Sequence, residues 1–179
     1  MRDRPSDPRA LDVASLCRDD ATIAGVTPLA DLPRLASTVL ADADGGAAQV
    51  RWSARGSAEP VRGAAPALWL TLHAEVSVRL ECQRCLQPLS LALTVDRPVR
   101  FVHGEDEAAR LDDELEEDVL ALEPRLDLIA LLEDELILAL PLVPRHGSCP
   151  QPLPLPAAEP EEPAPNPFAA LARLRGTSS

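Results

Sequence analysis

The sequence predicts an α+β fold: an antiparallel sheet built around a long hairpin, with flanking helices and a proline-rich C-terminal tail. Three observations lead there. Every even position from Leu68 to Cys82 is apolar, while Thr71, His73, Glu75, Ser77, Arg79 and Glu81 between them are polar. That alternation marks a strand with one buried face. Leu89, Leu91, Leu93 and Val95 repeat it a few residues later, so the two strands form an antiparallel hairpin. Asp127 stands where an N-cap belongs, ahead of the apolar run Leu128–Leu140 that Pro141 and Pro144 stop; this is the pattern of a helix.

The remaining elements follow in chain order. Thr27–Leu40 reads as a short helix interrupted by Pro33. Weaker strand patterns at Ala48–Arg55 and Val119–Leu122 extend the sheet. Between them, Glu105–Asp118 holds nine acids in fourteen positions and reads as a solvated, mobile loop. Residues 1–149 are expected to form a single domain, consistent with 179 residues at 46% hydrophobic content. Residues 150–165 read as a proline-rich linker, because 150–167 contains eight prolines. A short helix over 166–176 restarts with Asn166 as cap and Pro167 at its first position. Its Phe168, Leu171 and Leu174 share one face suited to docking.

The opening residues MRDRPSDPRA are charged, and the longest apolar run, Leu136–Val143, is short and broken by Pro141. Neither suits a secretory signal or a membrane span. The expectation is a cytoplasmic protein whose four cysteines stay reduced. Its charge is unevenly distributed. Residues 1–62 hold 8 Arg against 9 acids, residues 63–102 hold 4 against 3, and residues 103–179 hold 5 against 17. The whole excess of −12 therefore resides in the C-terminal part. Such a field repels phosphate. Only Trp52, Trp69, Phe101 and Phe168 are aromatic, too few for a base-stacking platform.

Cys82 and Cys85 fall at the hairpin tip in LECQRCLQPL. A tight turn between strands aims both sulfurs at one point, as in a zinc knuckle, and His146 and Cys149 after the long helix complete a four-ligand set. Plain reduced thiols in a turn and a redox pair are the alternatives. Redox work normally places the pair at a helix N-terminus, whereas here strand follows strand. Cys17 reads as a small core hydrophobe; His73 and His103 read as exposed. No Ser/His/Asp grouping or glycine-rich phosphate loop appears. On a helical wheel Glu135 falls among Leu128, Leu131, Leu132 and Ala139, with Glu133 and Asp134 on the polar side. A buried Glu135 needs a partner, for which Arg84 at the hairpin tip is the structural candidate.

Three blocks together carry a family likeness: LECQRC (Leu80–Cys85), LEDELILALPLVPRH (Leu132–His146) with Cys149 behind it, and PNPFAALARL (Pro165–Leu174). In order and spacing the chain resembles the bacterial YceD family, whose members are known as large ribosomal RNA subunit accumulation proteins. The resemblance implies a non-enzymatic role in synthesis, processing or stability of large-subunit (23S) rRNA, and no catalytic residues. Joined to the charge distribution, it points to a basic ribosomal protein or pre-large-subunit particle as partner. The partner-binding candidates are Glu105, Asp106, Asp112, Asp113, Glu114, Glu116 and Glu117, with Phe168, Leu171 and Leu174. The rival readings are direct rRNA binding by some of Arg51, Arg55, Arg62, Arg79, Arg84, Arg97 and Arg100, a zinc- or thiol-dependent enzyme, and an acidic interaction module. No membrane or small-molecule substrate is expected.

Overall fold

The structure is a computed structural model that describes residues 7–41, 48–63 and 65–150. Its centre is one five-stranded sheet: β1 (Thr22–Pro28), β2 (Gln49–Glu59), β3 (Ala67–Glu81), β4 (Pro88–Val102) and β5 (Asp118–Ala121), neighbours in that order. The first four form an antiparallel meander, and β5 joins β4 in parallel. The α+β class holds, but the sheet is mixed rather than purely antiparallel. Parallel pairing needs a crossover, which α3 (Glu105–Glu114) supplies.

The β3–β4 hairpin runs from Leu68 opposite Phe101 to Glu81 opposite Pro88, so the cysteine motif is its tip. Because side chains alternate across a strand, Leu70, Leu72, Ala74, Val76, Val78 and Leu80 all enter the core. Helices α1 (Val13–Arg18), α2 (Pro33–Thr38) and α4 (Leu128–Leu138) cover that face. Asp12 caps α1 by accepting from the Ser15 N–H at 2.9 Å. Its buried face, Val13, Leu16 and Cys17, lies on β2 at Gly56, where a Cβ would stand 2.6 Å from the Leu16 carbonyl carbon. Only glycine permits that approach. Burial pushes the Cys17 thiol up, although it donates to the Trp69 carbonyl at 3.2 Å. It is a core residue, as read.

Helix α4 begins as expected, with Asp127 accepting from the Ile129 and Ala130 N–H groups at 3.0 Å. Pro33 does not interrupt a helix over Thr27–Leu40; it opens α2, and Thr27 and Pro28 belong to β1. The first helical position tolerates proline because its N–H would lack a partner there. Helix α1 and strand β1 were not expected, being short and without clean periodicity.

The acidic segment is the main correction. Residues 105–118 are not a loop: α3 occupies most of them, and Asp118 starts β5. Glu105, Asp106 and Glu107 in the first turn favour the positive end of the helix dipole. Arg110 in the second turn ties the first turn to the third, meeting Glu107 and Glu114 at 2.7 Å each. Ala108 is buried, and the Asp112 carboxylate accepts from the Val119 N–H at 3.1 Å, anchoring helix to sheet. The proposed linker beyond Pro150 and helix 166–176 lie outside the described residues. Among the described residues no helix is long and apolar enough to cross a membrane.

Candidate metal centre

Two backbone devices shape the hairpin tip. The Cys82 N–H donates to the Gln87 carbonyl at 3.0 Å, and the Leu86 N–H donates to the Cys82 carbonyl at 2.8 Å. Leu86 takes a left-handed conformation, φ 58°, which turns the chain tightly enough to direct Cys82 and Cys85 inward. Both are buried. The chain leaving α4 returns to this tip, where the Gln83 N–H donates to the Pro144 carbonyl at 2.9 Å. That places His146 and Cys149 against the hairpin.

The ligand atoms of Cys82, Cys85, His146 and Cys149 all lie within 4.8 Å of one another. Cys82 Sγ is 4.0 Å from Cys149 Sγ, and Cys85 Sγ is 3.4 Å from His146 Nδ1. Thiolate and imidazole ligands around a tetrahedral zinc stand about 3.5–3.8 Å apart, from Zn–S near 2.3 Å and Zn–N near 2.05 Å. The cluster is therefore close to the size such an ion requires. His146 Nε2 lies 3.2 Å from the Pro88 carbonyl oxygen. Donation there leaves the Nδ1 lone pair facing the sulfurs, the orientation that a metal-ligating histidine needs.

The sulfurs are not equivalent. Burial pushes the Cys82 thiol up, but N–H groups of His146, Arg84 and Cys85 directed at its sulfur outweigh burial and bring it down to about 5. Cys149 moves the other way: burial, then its contacts with the Cys85 and Cys82 sulfurs, push its thiol up. The Cys82 sulfur is thus favoured as a thiolate and the Cys149 sulfur as a thiol, and a bound cation would favour the thiolate form of both.

The expected tie between Glu135 and Arg84 is absent. Glu135 meets Arg97 at 3.3 Å, and Arg84 is exposed at the tip, where its backbone N–H serves Cys82. Arg97 is directly opposite Leu72 on the core side of the sheet, beneath α4. Sequence reasoning also misplaced Glu133, which is 5% exposed. It receives the backbone N–H groups of Arg34 at 2.6 Å and Leu35 at 3.1 Å, and the Arg34 Nε at 2.9 Å. Leu32, at the N-cap of α2, has no side chain for capping, so a carboxylate from α4 caps α2 instead. The available signal was the stripe Ile129, Leu132, Glu133, Leu136, spaced i, i+3, i+4, i+7, with a carboxylate inside it.

The arginines divide between two faces and most are already paired. Arg51 lies 3.8 Å from Glu75, Arg55 3.0 Å from Asp20, Arg100 3.8 Å from Glu117, and Arg97 contacts Asp118 besides Glu135. Arg79 donates to the Ala41 carbonyl. A groove of about 530 Å³ on the open face is lined by Arg51, Glu75, Ser77, Ala92 and Thr94 among others, with no cysteine or histidine in its wall. The acidic candidates Glu105, Asp106, Asp112, Asp113, Glu114, Glu116 and Glu117 are all exposed. Phe168, Leu171 and Leu174 lie outside the described residues.

The family described as "Large ribosomal RNA subunit accumulation protein YceD" matches residues 70–175, more than half of the chain. The chain belongs to the YceD family. The match runs from near the start of β3 through the Cys/His cluster and into the C-terminal segment. The elements before residue 70 lie outside the match, yet share its core. A curated family member from Haemophilus influenzae, named "Large ribosomal RNA subunit accumulation protein YceD", is 41% identical over 109 residues. That alignment covers 56% of this chain and 62% of the relative, so the similarity spans less than two thirds of the relative's length. No solved structure matches the chain.

Proposed function

We propose that this protein supports accumulation of large-subunit rRNA without catalysing a reaction, by engaging a basic ribosomal protein or an assembling large subunit through its acidic surface. Family membership supports the ribosomal setting. The observation that carries the mode of action is the contrast between carboxylates and arginines. Glu105, Asp106, Asp113 and Glu116 are exposed and form no ion pair among the described residues. Arg51, Arg55, Arg97 and Arg100 are each already matched to a carboxylate. Phosphate would have to displace those partners, whereas a Lys/Arg-rich protein meets open anionic groups. Opposite charge accelerates encounter and shields such a partner from premature, nonspecific RNA binding. The C-terminal segment, with Phe168, Leu171 and Leu174, adds an apolar anchor in this reading, and the working compartment is the cytoplasm.

The test is a native pull-down from cell extract with and without nuclease, reading both protein and RNA. Retention of basic ribosomal proteins after nuclease treatment is expected. Replacing Glu105, Asp106, Asp113 and Glu116 by their amides should weaken that retention and flatten its dependence on salt. Recovery of large-subunit rRNA only without nuclease, with no protein left behind, would transfer the activity to the arginine face.

A further inference from the structure

We propose that Cys82, Cys85, His146 and Cys149 hold one zinc ion in a closed structural centre that fastens the chain leaving α4 to the tip of the β3–β4 hairpin. Four observations meet here. The donor atoms fall within 4.8 Å of one another although they come from chain segments 61 residues or more apart. The two spacings available, 4.0 Å between sulfurs and 3.4 Å between sulfur and nitrogen, bracket the tetrahedral edge. His146 is held with Nδ1 inward by the Pro88 carbonyl. Its backbone N–H also points at Cys82 Sγ, 3.4 Å away, so main chain as well as side chains converge on the cluster.

Donor chemistry selects the ion. Three sulfurs and one imidazole suit a soft-to-borderline metal in four-coordinate geometry, which is the habit of structural zinc; calcium and magnesium require oxygen ligands. All four positions are filled by protein, leaving none for an activated water, so the centre is structural and provides no basis for a zinc hydrolase. Its mechanical effect follows from where the ligands lie. Cys149 precedes residues 151–179 by two positions in the sequence, so a bound ion fixes the chain just before them beside the hairpin tip. This inference holds whether or not a basic protein is the partner, because metal binding and partner capture are measured separately.

The full chain, purified under reducing conditions, is assayed for metal by mass spectrometry and then reconstituted with cobalt(II) after chelation. About one zinc per chain is expected, with the intense visible absorption of a tetrahedral cobalt site and a near-ultraviolet thiolate charge-transfer band. Cys149→Ser lies outside the sheet and is expected to keep the wild-type circular dichroism while losing most of the zinc; Cys85→Ser should also lose it. Wild-type protein that takes up no zinc with its thiols reduced overturns the proposal. So does the weak spectrum of an octahedral cobalt site, or full zinc retention by Cys149→Ser.

Discussion

Replacing Glu133 by alanine should destabilise the fold more than replacing any other charged residue of α4. The carboxylate accepts two backbone N–H groups of α2 and the Arg34 Nε. Hydrogen bonds to a charged acceptor are worth about 1.5–3 kcal/mol each when buried. The guanidinium contributes less because the Arg34 side chain is half exposed. A cost of about 3–4 kcal/mol follows for Glu133→Ala, since both N–H groups are left without an acceptor. Arg34→Gln preserves the backbone bonds and should cost about 1 kcal/mol or less. Urea unfolding followed by the fluorescence of Trp52 and Trp69 measures both. Acid titration adds a second readout. Burial alone would push the Glu133 carboxyl up, but the Leu35 and Arg34 donors outweigh it and hold it below the usual carboxylate range. Its contribution is therefore complete above the unfolded value of about 4.3 and is lost as pH falls through the lower folded value. Glu133→Gln should flatten stability against pH in that window. If Glu133→Ala unfolds within about 0.5 kcal/mol of wild type, the trans-capping role is refuted.

Glu135 should behave in the opposite sense. Burial pushes its carboxyl up, partly offset by Arg97, so the folded protein holds this proton more tightly than the unfolded chain does. Arg97→Gln is expected to cost about 1–3 kcal/mol at neutral pH and to recover part of that as pH falls towards the raised carboxyl value, whereas Glu135→Gln should be nearly neutral; an equal loss in both variants at every pH would count against the pairing. Thr27→Val removes the hydroxyl that accepts the Trp52 indole N–H at 2.9 Å. About 1–3 kcal/mol should be lost, with a changed tryptophan emission. Gly56→Ala forces a methyl group against the backbone of α1 and should lower the melting temperature through a loss of at least about 1–3 kcal/mol; an unchanged melting temperature would mean that α1 shifts freely.

What the sequence revealed depended on how regular each local signal is. The β3–β4 hairpin was legible because fifteen residues of strict alternation have no other explanation, and the Asp127 cap because its chemistry is local. The four candidate ligands were legible as a set, while their proximity depended on the return of the chain to Gln83, a tertiary contact. Helix α3 was hidden by its composition: nine acids suggested solvation, and the single Arg110 that neutralises two turns was overlooked. Glu133 was misplaced because a wheel drawn from the apolar residues alone sits about one position away from the face that packs, whereas the Glu135 side chain is largely buried, as the wheel indicated. The partner of Glu135 also could not be read locally, since the register that brings Arg97 under α4 depends on the whole hairpin.

The cap that α4 supplies to α2 sets a schedule. Glu133 is made 99 residues after Arg34, roughly 5–20 s later at about 5–20 residues per second of synthesis. Strands β1 to β4 are each paired with the next in sequence, contacts that close early and fast. Through that interval the first turn of α2 waits with its amides open to water. Its six residues are too few to persist alone. Helix α2 is thus the last piece of the N-terminal half to set, and it sets only when the C-terminal half arrives. Amide exchange at Arg34 and Leu35 should accordingly follow the detachment of α4, not the opening of the nearby strands.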